Sequence, residues 1–335
     1  MRFKSLKRLI TPQTIALVAV LFINWLLFPG FFDVAWKQGR LFGSPIDVLN
    51  RGVPVAILAI GMAGVIATKG VDLSVGAVMA ISGAVAASLV VSGHSGAVAV
   101  VAALTAGAAC GIWNGLLVAL LDIQPIVATL ILMVAGRGIA QLITEGSIVT
   151  FSNPLLVFIG TGSFLGIPMP VVIAAVLLVV SVLIVRRTAI GLFIEAVGVN
   201  RAAASLAGIR SRLLIVAVYG FSGICAAISG LIVAGDIKGA DANNAGLWLE
   251  LDAILAVVIG GTSLLGGRFS IGMSVLGAII IQAMNTGILV SGFPPEFNLI
   301  VKAGVIIVIL IMQSPLALQL VEFQKTTRRL TGKPS

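Results

Sequence analysis

From residue 13 to residue 314 the chain passes through one apolar stretch after another, each about as long as a bilayer is thick. A helix needs roughly 20 apolar residues to cross about 30 Å of hydrocarbon. Stretches of that kind lie near residues 13–30, 52–69, 72–92, 96–120, 125–145, 169–185, 213–235, 251–266, 270–290 and 296–314. Of 335 residues, 59% are hydrophobic and only 10% charged, which leaves nothing to build a water-facing domain. The pattern predicts an all-α fold, a polytopic transmembrane helical bundle of about ten spans that makes one domain over residues 1–335.

A formal net charge of +9 would point to nucleic acid in a soluble protein. Here the lysines and arginines sit at span ends, so the charge reads as topology, and no nucleic-acid partner is expected. With the N-terminus in the cytoplasm, 15 of the 21 basic residues fall on the cytoplasmic side, among them Arg186, Arg187, Arg201, Arg210 and Arg212. Lys37, Arg40, Arg51 and Lys238 face the other side, and Arg137 and Lys302 fall within spans. Such asymmetry fits an even number of spans with both termini cytoplasmic. The opening MRFKSLKR and the apolar run at 15–28 resemble the start of a signal peptide, but no small-residue cleavage site follows, so a retained first span is expected. Cys110 and Cys225 lie in apolar stretches without metal or redox spacing and are expected as small core residues.

Small residues at every fourth position make stripes on which helix backbones can approach closely. Gly76, Ala80, Ala84 and Ser88 form one, Gly107, Gly111 and Gly115 another, and Ser222, Ala226, Gly230 and Ala234 a third. AILAIGM at 56–62 resembles AILAVVI at 253–259, and SVG at 74–76 echoes SIG at 270–272. An internal duplication or coincidence in so biased a composition would each account for this.

Residues 186–212 are too long and too basic for a turn. Within them Asn200 can cap a helix, RAAASLA supplies strong helix formers, and Gly208 can end it in the left-handed conformation. The product is a helix of about two turns, suited to lie in a groove on another protein, unless the segment is simply a solvated basic loop. The run IEAVGVNRAAASLAGI at 194–209 resembles the coupling-helix region of permease subunits from ATP-driven (ABC) importers of the branched-chain amino acid and ribose class. ATKGVDLSVGAVMAISG at 67–83, QPIVATLILMVAGRGIAQLIT at 124–144, ADANNAGLWLELDAILAVVIGGTSLLGGRFS at 240–270 and NTGILVSGFPPEFNLIVKA at 285–303 are similar to the sugar permeases of that family in order and spacing. GRLFGSPIDVLNR at 39–51 and GADANNAGLWLELDA at 239–253 are most similar to its galactofuranose branch.

The resemblance implies an inner-membrane permease working with a cytoplasmic ABC ATPase, a second permease chain, identical or homologous, and a periplasmic sugar-binding protein. It implies contact with the ATPase at Glu195, Ala196, Gly198, Asn200, Ala203, Ala204 and Gly208. ATP and Mg would sit on that partner, with no cofactor in this chain, because the nearest phosphate-loop lookalike, GTSLLGG at 261–267, has glycine where lysine is required. No GxSxG or HExxH occurs, and the single His94 lies in a short turn, so no catalytic activity is expected. An ion-coupled transporter is the rival reading, with Asp72, Glu250 and Asp252 as its acids. All three are expected at span edges, which would leave mid-span depth without an acid.

A neutral sugar is passed along by amides, hydroxyls and aromatic faces. Trp113, Asn114, Gln282 and Asn285 are therefore pathway candidates, each equally able to serve as interhelical glue. Arg137 within a span is either functional or bonded to backbone carbonyls, and Lys302 can snorkel to the surface. The segment at 236–252 is expected to face the periplasm, with Asp241, Asn243, Asn244 and Glu250 available to the binding protein and Trp248 anchoring the interface.

Overall fold

A computed structural model of the chain describes residues 12–37, 39–291, 294, 297 and 299–304. The basic opening MRFKSLKR, most of the expected span at 296–314, and the basic residues Lys325, Arg328, Arg329 and Lys333 lie outside them. Contacts divide the chain into two compact units, Met1–Met284 and Asn285–Ser335.

The helices are α1 (Pro12–Leu27), α2 (Ser44–Ala67), α3 (Val75–Val91), α4 (Gly96–Ala119), α5 (Pro125–Ile143), α6 (Pro154–Thr161), α7 (Met169–Arg187), α8 (Ile190–Val199), α9 (Arg201–Leu206), α10 (Ser211–Ile237), α11 (Leu249–Ile259) and α12 (Ile271–Val290). Among them α2, α4, α5, α7, α10 and α12 are each long and apolar enough to cross a membrane. Several of the prolines that punctuate the sequence are helix starts: α2, α5, α6 and α7 each carry one at their first or second position, where the missing N–H costs no hydrogen bond.

In the first unit, α2 and α10 run antiparallel. Ser229 on α10 bonds the carbonyl of Pro54, while a side chain at Gly61 would meet Ser222 and Cys225, and one at Gly64 would meet Val218. Both helices are buried on most sides. In contrast, α7 turns Val176, Val179, Leu183 and Ile184 outward, as a helix bordering lipid does. The glycine stripe on α4 faces α10: a Cβ on Gly111 would strike the Tyr219 carbonyl, and one on Gly107 would lie 2.6 Å from the Gly223 carbonyl. Gly230 meets the backbone of Met79 on α3 in the same way.

Two helices start inside the bundle. After Ala67 the chain turns, and the non-helical residues around Asp72 lead into α3, whose 17 residues begin at Val75. The expected span at 251–266 is corrected: α11 has 11 residues, about 16 Å by helical rise, too short to cross alone. Gly260 and Gly261 end it, the latter at φ +87°. Before it, residues 241–248 descend without helical structure until Gly246, φ +72°, packs on Gly76 in the first turn of α3. Irregular backbone at such depth is tolerated where protein surrounds it and satisfies its polar groups. The resembling stretches at 56–62 and 253–259 fall on α2 and α11, which pack against each other.

Short strands tie the connections that hydropathy left undescribed. One hairpin joins Ala35–Lys37 to Arg40–Phe42 and another joins Ser163–Phe164 to Ile167–Pro168. Val149–Thr150 pairs with Gly239–Ala240, fixing the segment after α5 to the end of α10.

Candidate functional site

The acids expected at span edges are inside the protein, which is a second correction. Asp72 is 1% exposed. Its Oδ1 accepts from the Ser74 hydroxyl (2.6 Å) and backbone N–H (3.1 Å), and its Oδ2 accepts from the Ser222 hydroxyl (2.9 Å). Ser222 is the twelfth of 27 residues in α10, about 16 Å along the axis from Ser211, so the carboxylate lies near mid-depth. The Asn114 amide donates to Ser74 Oγ at 2.8 Å. A carboxylate at the start of α3 also complements the positive end of that helix. Glu250 and Asp252, in the first turn of α11, are buried too, with Glu250 against Gly76. Mid-depth therefore does hold acid, and the spacing argument against ion coupling fails.

The pathway candidates of the first unit do not converge. Asn114 is fully buried in the Asp72 network, whereas its neighbour Trp113 is 54% exposed. Gln282 is buried near Gly52. Asn285 lies on α12 in the second unit.

Arg137 does bond carbonyls, but those of a segment 105 and 108 residues away: its Nη1 donates to Ala242 O (3.0 Å) and Ala245 O (2.6 Å). One turn along α5, Gln141 Nε2 donates to Asn243 Oδ1 at 2.8 Å. Together they fasten residues 241–248 onto α5. In that segment the Asp241 carboxylate accepts from the backbone N–H groups of Asn243 and Asn244 and from the Asn244 amide. Trp248 takes φ +66° and is exposed, a strained conformation for a bulky residue. Replacing Arg137 with methionine is expected to lower stability by about 1.5–3 kcal/mol, the range for charge-assisted hydrogen bonds. A lower melting temperature in detergent and faster labelling of an Ala245→Cys reporter check it.

At the other end the helix expected at 200–208 is present as α9. Asn200 caps it by accepting from the Ala203 N–H at 3.0 Å, and Gly208 follows at φ +87°. Arg201 ties it down, pairing with Asp122 at 2.9 Å and donating to the Ala119 carbonyl at 2.8 Å. A cavity of about 700 Å³ beside it is lined by Asp122, Arg201, Ser205, Arg210 and Arg212. Ala204 is buried beneath the helix and Ala203 is exposed. Leu206, not singled out by sequence, is 91% exposed.

The preceding helix α8, also unexpected, carries Glu195, Ala196 and Gly198. Gly198 packs on the Ala67 carbonyl, which accepts from the Gly267 N–H at 2.9 Å. Lys69 Nζ donates to the Val199 carbonyl at 3.0 Å. Movement of α8 and α9 would thus reach, by direct contact, the turns beside both half-helices.

A family model described as branched-chain amino acid transport system / permease component matches residues 44–310. The chain is 60% identical to the galactofuranose transporter permease protein of Escherichia coli strain K12 over 311 residues, 93% of this chain and 91% of that protein. It is 40% identical to the fructose import permease protein of Bifidobacterium longum strain NCC 2705, over 93% of this chain and 89% of that one. Identity to the ribose import permease protein of Escherichia coli strain K12 is 38%, over 90% and 92%. No solved structure matches.

Proposed function

The chain belongs to the permease component family of branched-chain amino acid transport systems, and on that premise we propose that it is the membrane subunit of an ATP-driven importer carrying galactofuranose across the bacterial inner membrane. The cargo rests on the 60% identity to a galactofuranose permease over almost the whole of both chains. The drive rests on α9, whose exposed Leu206 and neighbouring arginines offer an apolar knob in a basic surround to a cytoplasmic ATPase that would bind ATP and Mg.

Ten crossings with both ends cytoplasmic fit the charge asymmetry. Six helices have spanning length, α1 and α3 add two, the descent through residues 241–259 is the ninth, and the apolar run of the sequence at 296–314 would supply the tenth. Closure of the ATPases would push on α9, and α8 would pass the movement to the turns at 67–70 and 266–267. These turns carry α3 and α11, so the inner and outer halves of the pathway would open in alternation as the ATPases close and part. A periplasmic binding protein would dock where the segment at 241–248 begins, at Asp241, Asn243 and Asn244, and a second permease chain would supply the other wall.

Uptake of labelled galactofuranose, ribose and fructose by vesicles holding the assembled transporter tests this. ATP-dependent, saturable galactofuranose uptake that the other two sugars fail to compete away is expected. Preferential uptake of ribose or fructose would refute the cargo, and uptake by the purified single chain on a proton or sodium gradient would refute the ATP drive.

A further inference from the structure

Between α7 and α10, next to α8, lies an apolar crevice of about 220 Å³ whose walls include Leu177, Val180, Ile184, Ile194, Val218 and Phe221. It shares Val185, Phe269 and Ile271 with an adjoining cavity of about 320 Å³ that is lined also by Arg186, Glu195 and Ser270. One hydroxyl interrupts the apolar wall. Ser181 is 4% exposed, and its Oγ has no hydrogen-bond partner among the described residues. It sits five residues before Arg186 on α7, about 7.5 Å along the helix. Neither Arg186 nor Glu195 forms an ion pair with another described residue.

We propose that the two cavities are one binding site for a phospholipid with a primary-amine headgroup. An acyl chain fills the apolar crevice, and the glycerol ester carbonyl accepts from the Ser181 hydroxyl. The phosphate takes the Arg186 guanidinium, whose fork matches phosphate oxygens, and the headgroup ammonium donates to the Glu195 carboxylate. One cation and one carboxylate in a single cavity complement a zwitterion; a purely anionic headgroup would meet Glu195 with like charge. The outward apolar face of α7 gives lipid direct access, and the basic residues at its last turn suit a headgroup level. So placed, the lipid packs against α8 and fixes how the preceding span meets the coupling segment.

The site is independent of the cargo, and its test reads lipid retention rather than transport. Full-length chain is released from nanodiscs containing phosphatidylethanolamine, phosphatidylcholine and phosphatidylglycerol, and retained lipid is counted by native mass spectrometry. Phosphatidylethanolamine is expected to be kept roughly tenfold over phosphatidylcholine, the worth of a charge-assisted hydrogen bond. Glu195→Gln, a shape-preserving change at a partly exposed residue, should abolish that preference, with phosphatidylethanolamine retention falling the more of the two. Arg186→Gln should reduce retention of all three. Equal retention of the three lipids, preference for phosphatidylglycerol, or an unchanged preference in Glu195→Gln overturns the proposal. So does loss of the lipid when a second permease chain co-assembles, which would make the crevice a subunit interface.

Discussion

Gly111→Val is expected to leave almost no folded chain in the membrane. A Cβ on Gly111 would strike the Tyr219 carbonyl and lie 3.0 Å from Gly220 Cα, so its obstacle is backbone, which no rotamer change can remove. Tyr219 is fully buried, and on another face α10 is backed by α2, where a Cβ on Gly61 would lie 2.9 Å from Ser222 Cα, so α10 has nowhere to retreat. Overpacking a core commonly costs about 1–3 kcal/mol. Separating two helices that touch along a whole stripe costs more, because every close contact between them loosens together. Gly138→Ala is the control. Nothing lies within 4 Å of its added methyl, and alanine is the better helix former by about 1 kcal/mol. The fraction of each variant eluting as a monodisperse peak after mild extraction decides it, and recovery of Gly111→Val at the level of Gly138→Ala would sink the packing account.

Leu206→Glu should abolish ATP-driven uptake while the chain reaches the membrane in normal amount. Leu206 is 91% exposed on a six-residue helix, so the substitution alters stability within about 0.5 kcal/mol. An apolar knob entering a partner's groove is the type of contact that dominates an interface, worth about 2 kcal/mol or more, and a buried unpaired glutamate would add a penalty of its own. At about 1.4 kcal/mol per tenfold, uptake falls by more than about tenfold. Ala203→Arg, on the exposed side of α9, should act in the same direction. Wild-type uptake in both variants, with membrane levels matched by immunoblot, would remove α9 from the drive train.

Features that depend on neighbours in the chain were legible. Asn200 and Gly208 bracket α9 because capping and left-handed termination involve backbone groups within a few residues. The stripe at Gly107, Gly111 and Gly115 declared a close helix contact because a spacing of four holds one face. Neither α8 nor the exposure of Leu206 had such a signal. IGLFIEAVGV is apolar and lies outside any spanning stretch, and a leucine's exposure depends on what the rest of the chain leaves uncovered.

Hydropathy treats a charge as the end of a span, and that rule misplaced Asp72, Glu250 and Asp252. Asp72 can lie near mid-depth because Ser222, 150 residues away, brings it a hydroxyl. Likewise Arg137 is satisfied by carbonyls more than 100 residues distant, and the adjacent Trp113 and Asn114 point to different surroundings because one helical step turns about 100°. Apolar run length and local caps thus determined a helical membrane protein with a short helix between two of its spans. Only the tertiary structure decided where helices begin inside the bundle and which polar groups are satisfied there, because in a medium without water a buried donor or acceptor must find its partner wherever the fold brings one.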